Sequence, residues 1–255
     1  MVDLRFRWNG SELIPVDGAS ILPLYVADSW LLDDGKVVAL DAHFARFARS
    51  CAAQGLVRSV DAFTTAVETA LPHSGSVFPR IDLTERGELE LWIRSAPSLF
   101  DTIVLTTADS DVRTEPAIKG PDIVALGELH ESARARGAGD AVIIDPAGRI
   151  IDGATTCLLW WREGQIFLPP VSAIRVDSIT VKIVGEIAAE QGFGVAQEWA
   201  TPAELAGSTV WALNSLHGIR EVTSWIDGPQ LGSDLPLLAQ WREQYTSRAT
   251  PLTDI

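Results

Sequence analysis

Lysine is scarce in this sequence. Of 20 basic residues only three are lysines, Lys36, Lys119 and Lys182, so any lysine chemistry must be at one of those positions. Lys119 stands in Ala117-Ile-Lys-Gly120, just before an expected helix. His43 and Arg46, in Leu40-Asp-Ala-His-Phe-Ala-Arg-Phe-Ala-Arg-Ser50, are three residues apart and share one helix face. Asp152 is the acidic residue in Gly148-Arg-Ile-Ile-Asp-Gly-Ala-Thr-Thr-Cys-Leu-Leu-Trp160, among small polar residues between two strands. Val171-Ser-Ala-Ile-Arg-Val-Asp-Ser178 leads into a helix N-terminus, where free backbone N–H groups and the helix dipole suit a phosphate. A last polar turn is Leu213-Asn-Ser-Leu-His-Gly-Ile219. Each stretch alone also has a plain structural explanation: a solvated helix face, a surface lysine, a connecting turn or an ordinary cap.

The elements that must position these residues can be read from periodicity and turn signals. From Arg5 to about Leu40, short apolar runs alternate with turns at Trp8-Asn-Gly10, Asp17-Gly18 and Asp33-Asp-Gly-Lys36, which predicts strands and hairpins. Phe44, Phe47 and Cys51 predict a helix over 41–54 that starts at Asp41, and a second helix is expected over 61–71. Strands follow at 79–83, 88–94 and 102–106. The polar stretch 108–116 reads as a connector. A helix from Pro121 to about Arg136 leads into four strands in a meander at 142–144, 149–151, 157–160 and 165–168. Asp177-Ser178 caps a helix through Ile179, Ile183 and Ile187 that stops at Gly192, and strands at 209–213 and 221–226 close the pattern. Trp160, Trp161, Trp211 and Trp225 fall on these strands as packing residues.

Length and composition narrow the function. The chain has 255 residues, 47% apolar and 21% charged, enough for a large core and unlike a disordered chain. A net charge of −14 without a Lys/Arg run argues against nucleic acid and anionic membrane as partners. No apolar run approaches a membrane span, and the first residues lack the apolar stretch of a signal peptide, so a cytoplasmic location is expected. Cys51 and Cys157 are the only cysteines, with no CxxC or Cys/His cluster to hold a metal.

Taken in order, these stretches make the sequence similar to the class IV aminotransferases, the fold-type IV pyridoxal-phosphate enzymes that include branched-chain and D-amino-acid aminotransferases and aminodeoxychorismate lyase. The resemblance runs from about Asp28 to Gly228 and rests on HxxR before a Ser, a lysine some seventy residues later, an acid-Gly turn about thirty residues beyond, and Asn214-Ser-Leu before a Val strand. It implies an α+β fold of two α/β domains with pyridoxal 5'-phosphate between them. The expected division is a smaller N-terminal domain over 1–110, a connector over 111–118 and a larger cofactor-binding domain over 119–255. It further implies a homodimer acting on a small amino-acid-like substrate.

By that resemblance Lys119 carries the cofactor as an aldimine and then shuttles the α-proton. Arg46 binds the cofactor phosphate, together with backbone N–H groups at Ile174 and Arg175, the Ser215 hydroxyl and the Leu216 N–H. Asp152 takes the place of a glutamate that keeps the pyridine nitrogen protonated, and Arg94 matches an arginine that receives a substrate carboxylate. The sequence departs from the family pattern in three places. Asp152 is one methylene shorter than glutamate. The family's tyrosine a few residues after the lysine has no equivalent in Gly120-Pro-Asp-Ile-Val124. The early Gly-Asp-Gly-x-Phe-Glu/Thr strand becomes Ala27-Asp-Ser-Trp-Leu-Leu32. The closing Asn-Ser-Leu and the absent tyrosine favour an aminodeoxychorismate lyase, converting 4-amino-4-deoxychorismate to 4-aminobenzoate and pyruvate. The alternatives are amino transfer between an amino acid and a 2-oxo acid, and a cofactor-binding homologue with impaired catalysis.

Overall fold

The structure is a computed structural model that describes residues 3–17, 23–55 and 60–253. Gly18, in the expected Asp17-Gly18 turn, lies outside these residues. β1 (Leu4–Trp8) and β2 (Leu13–Pro15) form a hairpin, β3 (Leu24–Ser29) follows, and β4 (Leu32–Asp33) and β5 (Lys36–Val38) form a second hairpin. In its turn Asp34 and Gly35 take φ of 45° and 71°, the pair of left-handed residues that a two-residue hairpin needs. Next come α1 (Leu40–Ala53), α2 (Val60–Ala70), β6 (Ser76–Val77), β7 (Arg80–Thr84), β8 (Leu89–Ile93) and β9 (Thr102–Thr107). The expected start of α1 shifts by one residue. Ala39, at φ 54°, precedes the helix without a side-chain cap, and Asp41 sits in the first turn, where its charge suits the dipole.

The chain continues through α3 (Ile123–Ala135), β10 (Asp140–Ile144), β11 (Ile150–Gly153), β12 (Cys157–Arg162), β13 (Gln165–Leu168), α4 (Ile179–Gln191) and β14 (Val195–Gln197). A short 3-10 turn at Pro202–Leu205, β15 (Thr209–Asn214), β16 (Gly218–Ile226), α5 (Leu235–Thr246) and β17 (Ala249–Pro251) complete it. α4 has the expected ends, with Ser178 accepting from the Val181 N–H and Gly192 in the left-handed region. Sequence periodicity missed α5. Its signals are Asp234 as N-cap, accepting from the Leu237 N–H, a proline in the first turn, and Leu238, Trp241 and Tyr245 on one buried face.

The strands form three sheets, ordered β2-β1-β8-β7-β3, β17-β5-β4-β6, and β11-β10-β9-β16-β15-β12-β13-β14. The expected four-strand meander is instead two hairpins, β10/β11 and β12/β13, separated in the large sheet by β9, β16 and β15. Val142 and Ile143 are both fully buried, so β10 is covered on both faces and takes a second neighbour, the parallel strand β9, distant in sequence.

The chain divides into two compact units, Met1–Ser98 with Ile118–Pro121 and Arg248–Ile255, and Leu99–Ala117 with Asp122–Ser247. This differs from the boundaries expected from sequence, because pairing outweighs chain order. β9 joins the large sheet of the second unit, β17 pairs with β5, and Lys119 groups with the first unit. In the first unit, Phe47 and Cys51 of α1 and Phe63 and Val67 of α2 pack with Trp30, Leu32, Ile81, Leu83 and Leu91. The second unit centres on Leu105, Val142, Leu158, Trp160, Val210, Ala212 and Val222. Trp160, Trp161, Trp211 and Trp225 are all buried, as expected of packing residues. Among the described residues no helix is long and apolar enough to cross a membrane.

Candidate active site

In the first unit, β3 holds Lys119 from both ends. The Lys119 carbonyl accepts the Ala27 N–H at 2.6 Å, and the Lys119 Nζ donates to the Ser29 Oγ at 3.0 Å. The glycine after it is required by the same approach. Gly120 has φ 145°, and a Cβ there would lie 2.7 Å from the Val26 Cα. The Lys119 side chain is half-buried, and loss of water around the amine pulls it down to about 8; Asp28 opposes the shift, while Arg46, Arg94 and Arg80 add to it. A base in that range is neutral often enough near neutral pH to act as a nucleophile or proton acceptor.

Next to Ser29 lies a buried network that sequence reasoning did not identify. The carboxylate of Asp28, in β3, accepts the Ser29 N–H at 2.8 Å, the His43 Nδ1 at 2.8 Å, and the Arg46 Nε and Nη2 at 2.8 and 2.7 Å. A carboxylate only accepts, so Nδ1 carries the imidazole proton. His43 and Arg46 reach Asp28 together because their spacing on α1 puts them on one face, as the sequence implied. Burial would raise Asp28, but the charges of His43 and Arg46 and the His43 hydrogen bond hold it well below the usual carboxylate range. Burial also lowers His43, against the pull of Asp28.

Arg94 follows β8 in the same unit. Its Nε donates to the Phe78 carbonyl at 3.1 Å and its guanidinium lies 4.7 Å from the Trp92 ring centroid. Arg5 and Arg80 approach the same ring at 3.9 and 5.0 Å. Arg80 is paired with Asp82 at 2.8 Å. Burial, and next the charge of Arg80, push Arg94 down to about 10. A guanidinium crowded in this way would gain by receiving an anion.

The second unit carries the remaining residues. Asp152, in β11, is buried, and among the described residues its Oδ1 has no hydrogen-bond partner. Burial pushes its carboxyl up to about 7, against the lowering effects of the Cys157 thiol, Arg113 and Arg175. Arg113 binds Asp111 through Nε and Nη2 and reaches the Ile174 carbonyl at 3.3 Å. The Arg175 side chain donates to the carbonyls of Pro169, Pro170 and Ala173 at 2.8 to 3.0 Å, stapling the loop that leads into α4. Asn214 Oδ1 accepts the N–H groups of Leu216 and His217 at 3.2 and 2.8 Å and so shapes the turn that carries Ser215. The Leu216 N–H is therefore already engaged, and offering it to a phosphate means giving up its 3.2 Å bond to Asn214.

Each unit carries residues whose chemistry suits a pyridoxal phosphate. In the first unit an amine of lowered basicity suits an aldehyde, and in the second the orphaned, buried Asp152 Oδ1 is an acceptor that a protonated ring nitrogen would satisfy. Asp28 and Ser29 in the first unit and Arg113 and Cys157 in the second were not singled out from sequence. Asp28 and Ser29 fall in the early strand where the sequence departs from the family pattern, which was the available signal.

Comparison with known proteins agrees with this chemistry. The family model for amino-transferase class IV matches residues 25–225. Among solved structures, a branched-chain aminotransferase from the archaeon Thermoproteus uzoniensis with norvaline superposes with a TM-score of 0.80 at 18% identity, over 98% of this chain and 100% of that one. The branched-chain amino acid aminotransferase from Thermobaculum terrenum, in its PLP-bound holo-form, gives 0.81 at 16% identity, with 98% of both chains covered. A hypothetical aminotransferase from Mycobacterium tuberculosis in its PLP-bound form gives 0.76 at 18% identity, over 97% of this chain and 98% of that one. A search of curated proteins gives no match. The fold is therefore the fold-type IV α/β architecture, and the chain belongs to the class IV aminotransferases, a family of pyridoxal-phosphate-dependent enzymes.

Proposed function

We propose that the protein is an aminotransferase that moves an amino group between an amino acid and a 2-oxo acid. The observation that carries this reading is the Lys119 amine, held on Ser29 and lowered to about 8, in a chain matched by the family over 25–225. When bound, pyridoxal phosphate supplies an electron sink for the substrate α-carbon. Lys119 would take the proton from the α-carbon of the amino-acid donor in one half-reaction and would deliver a proton to the α-carbon of the 2-oxo acid in the other. Asp152 Oδ1 would hold the proton on the ring nitrogen, and Arg113 and Arg175 favour the ionised carboxylate needed for this. The phosphate would be received by Arg46, the backbone N–H groups of Ile174 and Arg175, the Ser215 hydroxyl and the Leu216 N–H. Arg94 would receive the substrate carboxylate, in keeping with its crowded positive surroundings. We also infer a homodimer working in the cytoplasm on small amino-acid-like substrates, a state that sedimentation velocity tests directly.

Elimination of pyruvate from 4-amino-4-deoxychorismate remains a second reading, favoured by the Asn214-Ser215-Leu216 turn. One experiment separates the two. The purified protein is mixed with pyridoxal phosphate, reduced with borohydride and mapped, then assayed with an amino-acid donor and a 2-oxo-acid acceptor. A label on Lys119 with amino transfer supports the aminotransferase. Release of 4-aminobenzoate and pyruvate without amino transfer favours the lyase. A label on Lys36 or Lys182 overturns both site assignments.

A further inference from the structure

We propose that Asp28 is the positioning residue of this site, holding the Arg46 guanidinium and, through Ser29, the Lys119 amine, and supplying the negative charge that keeps that amine basic. The inference rests on the reading of Lys119 as the cofactor-linking lysine. Its geometric basis is that one buried carboxylate receives bonds from three partners on two elements: the Ser29 N–H at 2.8 Å, the His43 Nδ1 at 2.8 Å, and two edges of Arg46 at 2.8 and 2.7 Å. Ser29 in turn accepts from the Lys119 Nζ at 3.0 Å. The backbone of the residue before Asp28 binds the Lys119 carbonyl, so β3 sets where the lysine begins and where its amine ends.

The charges point the same way. Around the amine stand Asp28 from β3, Arg46 and His43 from α1, Arg80 from β7, paired there with Asp82, and Arg94 beyond β8. Asp28 favours the ammonium form, and the three arginines oppose it. Neutralising Asp28 removes the favourable charge while the arginines stay beside the amine, so Lys119 should lose its proton at lower pH.

The test uses the cofactor-free protein. With three lysines in the chain, side-chain carbon NMR of lysine-labelled protein gives a resolvable titration, and Lys119→Met identifies the Lys119 signal. Folding of each variant is checked by circular dichroism. In folded Asp28→Asn the Lys119 midpoint is expected to fall by about one pH unit or more, a tenfold change in proton affinity. An unchanged midpoint overturns the proposal. If Asp28→Asn does not fold, Ser29→Ala decides, since it removes the amine's acceptor and leaves the Asp28, His43 and Arg46 contacts in place. A lower Lys119 midpoint then supports the proposal and an unchanged one overturns it. Borohydride trapping on the wild-type protein tests the cofactor reading separately. A label away from Lys119 would sink that reading, while the titration would still report what Asp28 does to the amine.

Discussion

Two ionisable groups of the site are displaced in opposite senses, each by burial. Lys119 falls to about 8, so the fraction able to attack an aldehyde drops about tenfold for each pH unit below that value. The rate of pyridoxal phosphate capture by the cofactor-free protein should rise with pH and level off above about 8, which stopped-flow absorbance reads directly. Asp152 rises from 3.8 to about 7. An acid with a raised folded pKa contributes its full stability below the unfolded value and loses it as pH climbs through the folded one. The cofactor-free protein should therefore lose up to ~4 kcal/mol between about pH 4 and 7 from this one group. Asp152→Asn should raise the melting temperature of cofactor-free protein at pH 8, with the gain shrinking toward pH 4. The same change should depress catalysis of the loaded enzyme, because the ring nitrogen loses its ionised partner. Stability gained and activity lost together would mark a residue kept for its chemistry.

Among the elements, α5 is the one whose packing was least visible beforehand. Trp241 on α5 meets Trp161, Trp211 and Phe193 with ring centroids at 5.2 to 5.8 Å, so two strands and the turn after α4 close on one side chain. Trp241→Ala should cost ~3–5 kcal/mol by equilibrium unfolding in guanidinium chloride. The α4 cap is a smaller, local term. Ser178→Ala should cost about 1 kcal/mol, since it removes the acceptor for the Val181 N–H. α4 was legible because cap, apolar repeat and Gly192 stop all lie within its own stretch. α5 carries comparable signals in Asp234 and its proline, yet the face they define reads as apolar only against Trp161 and Trp211, far away in the chain.

For the molecule as a whole, ligand linkage gives the broadest check. A cofactor that binds only the folded state at a hundred times its dissociation constant adds ~2.7 kcal/mol, so saturating pyridoxal phosphate should raise the melting temperature of the wild-type protein. Lys119→Ala should reduce that rise, because it removes the covalent link while leaving the groups proposed to hold the phosphate. The sequence by itself determined the family resemblance and most helices and strands, because motif order and periodicity are properties of the chain alone. It also placed His43 and Arg46 on one face. Only the tertiary structure decided what that face meets, namely Asp28, and that Lys119 belongs with β3 rather than with the residues that follow it. The same holds for the separation of the two hairpins by β9, β15 and β16. The physical reason is common to all three: partners distant in the chain are chosen by buried hydrogen bonds and strand pairing, whose energies depend on which groups lose water together, and local sequence does not record that.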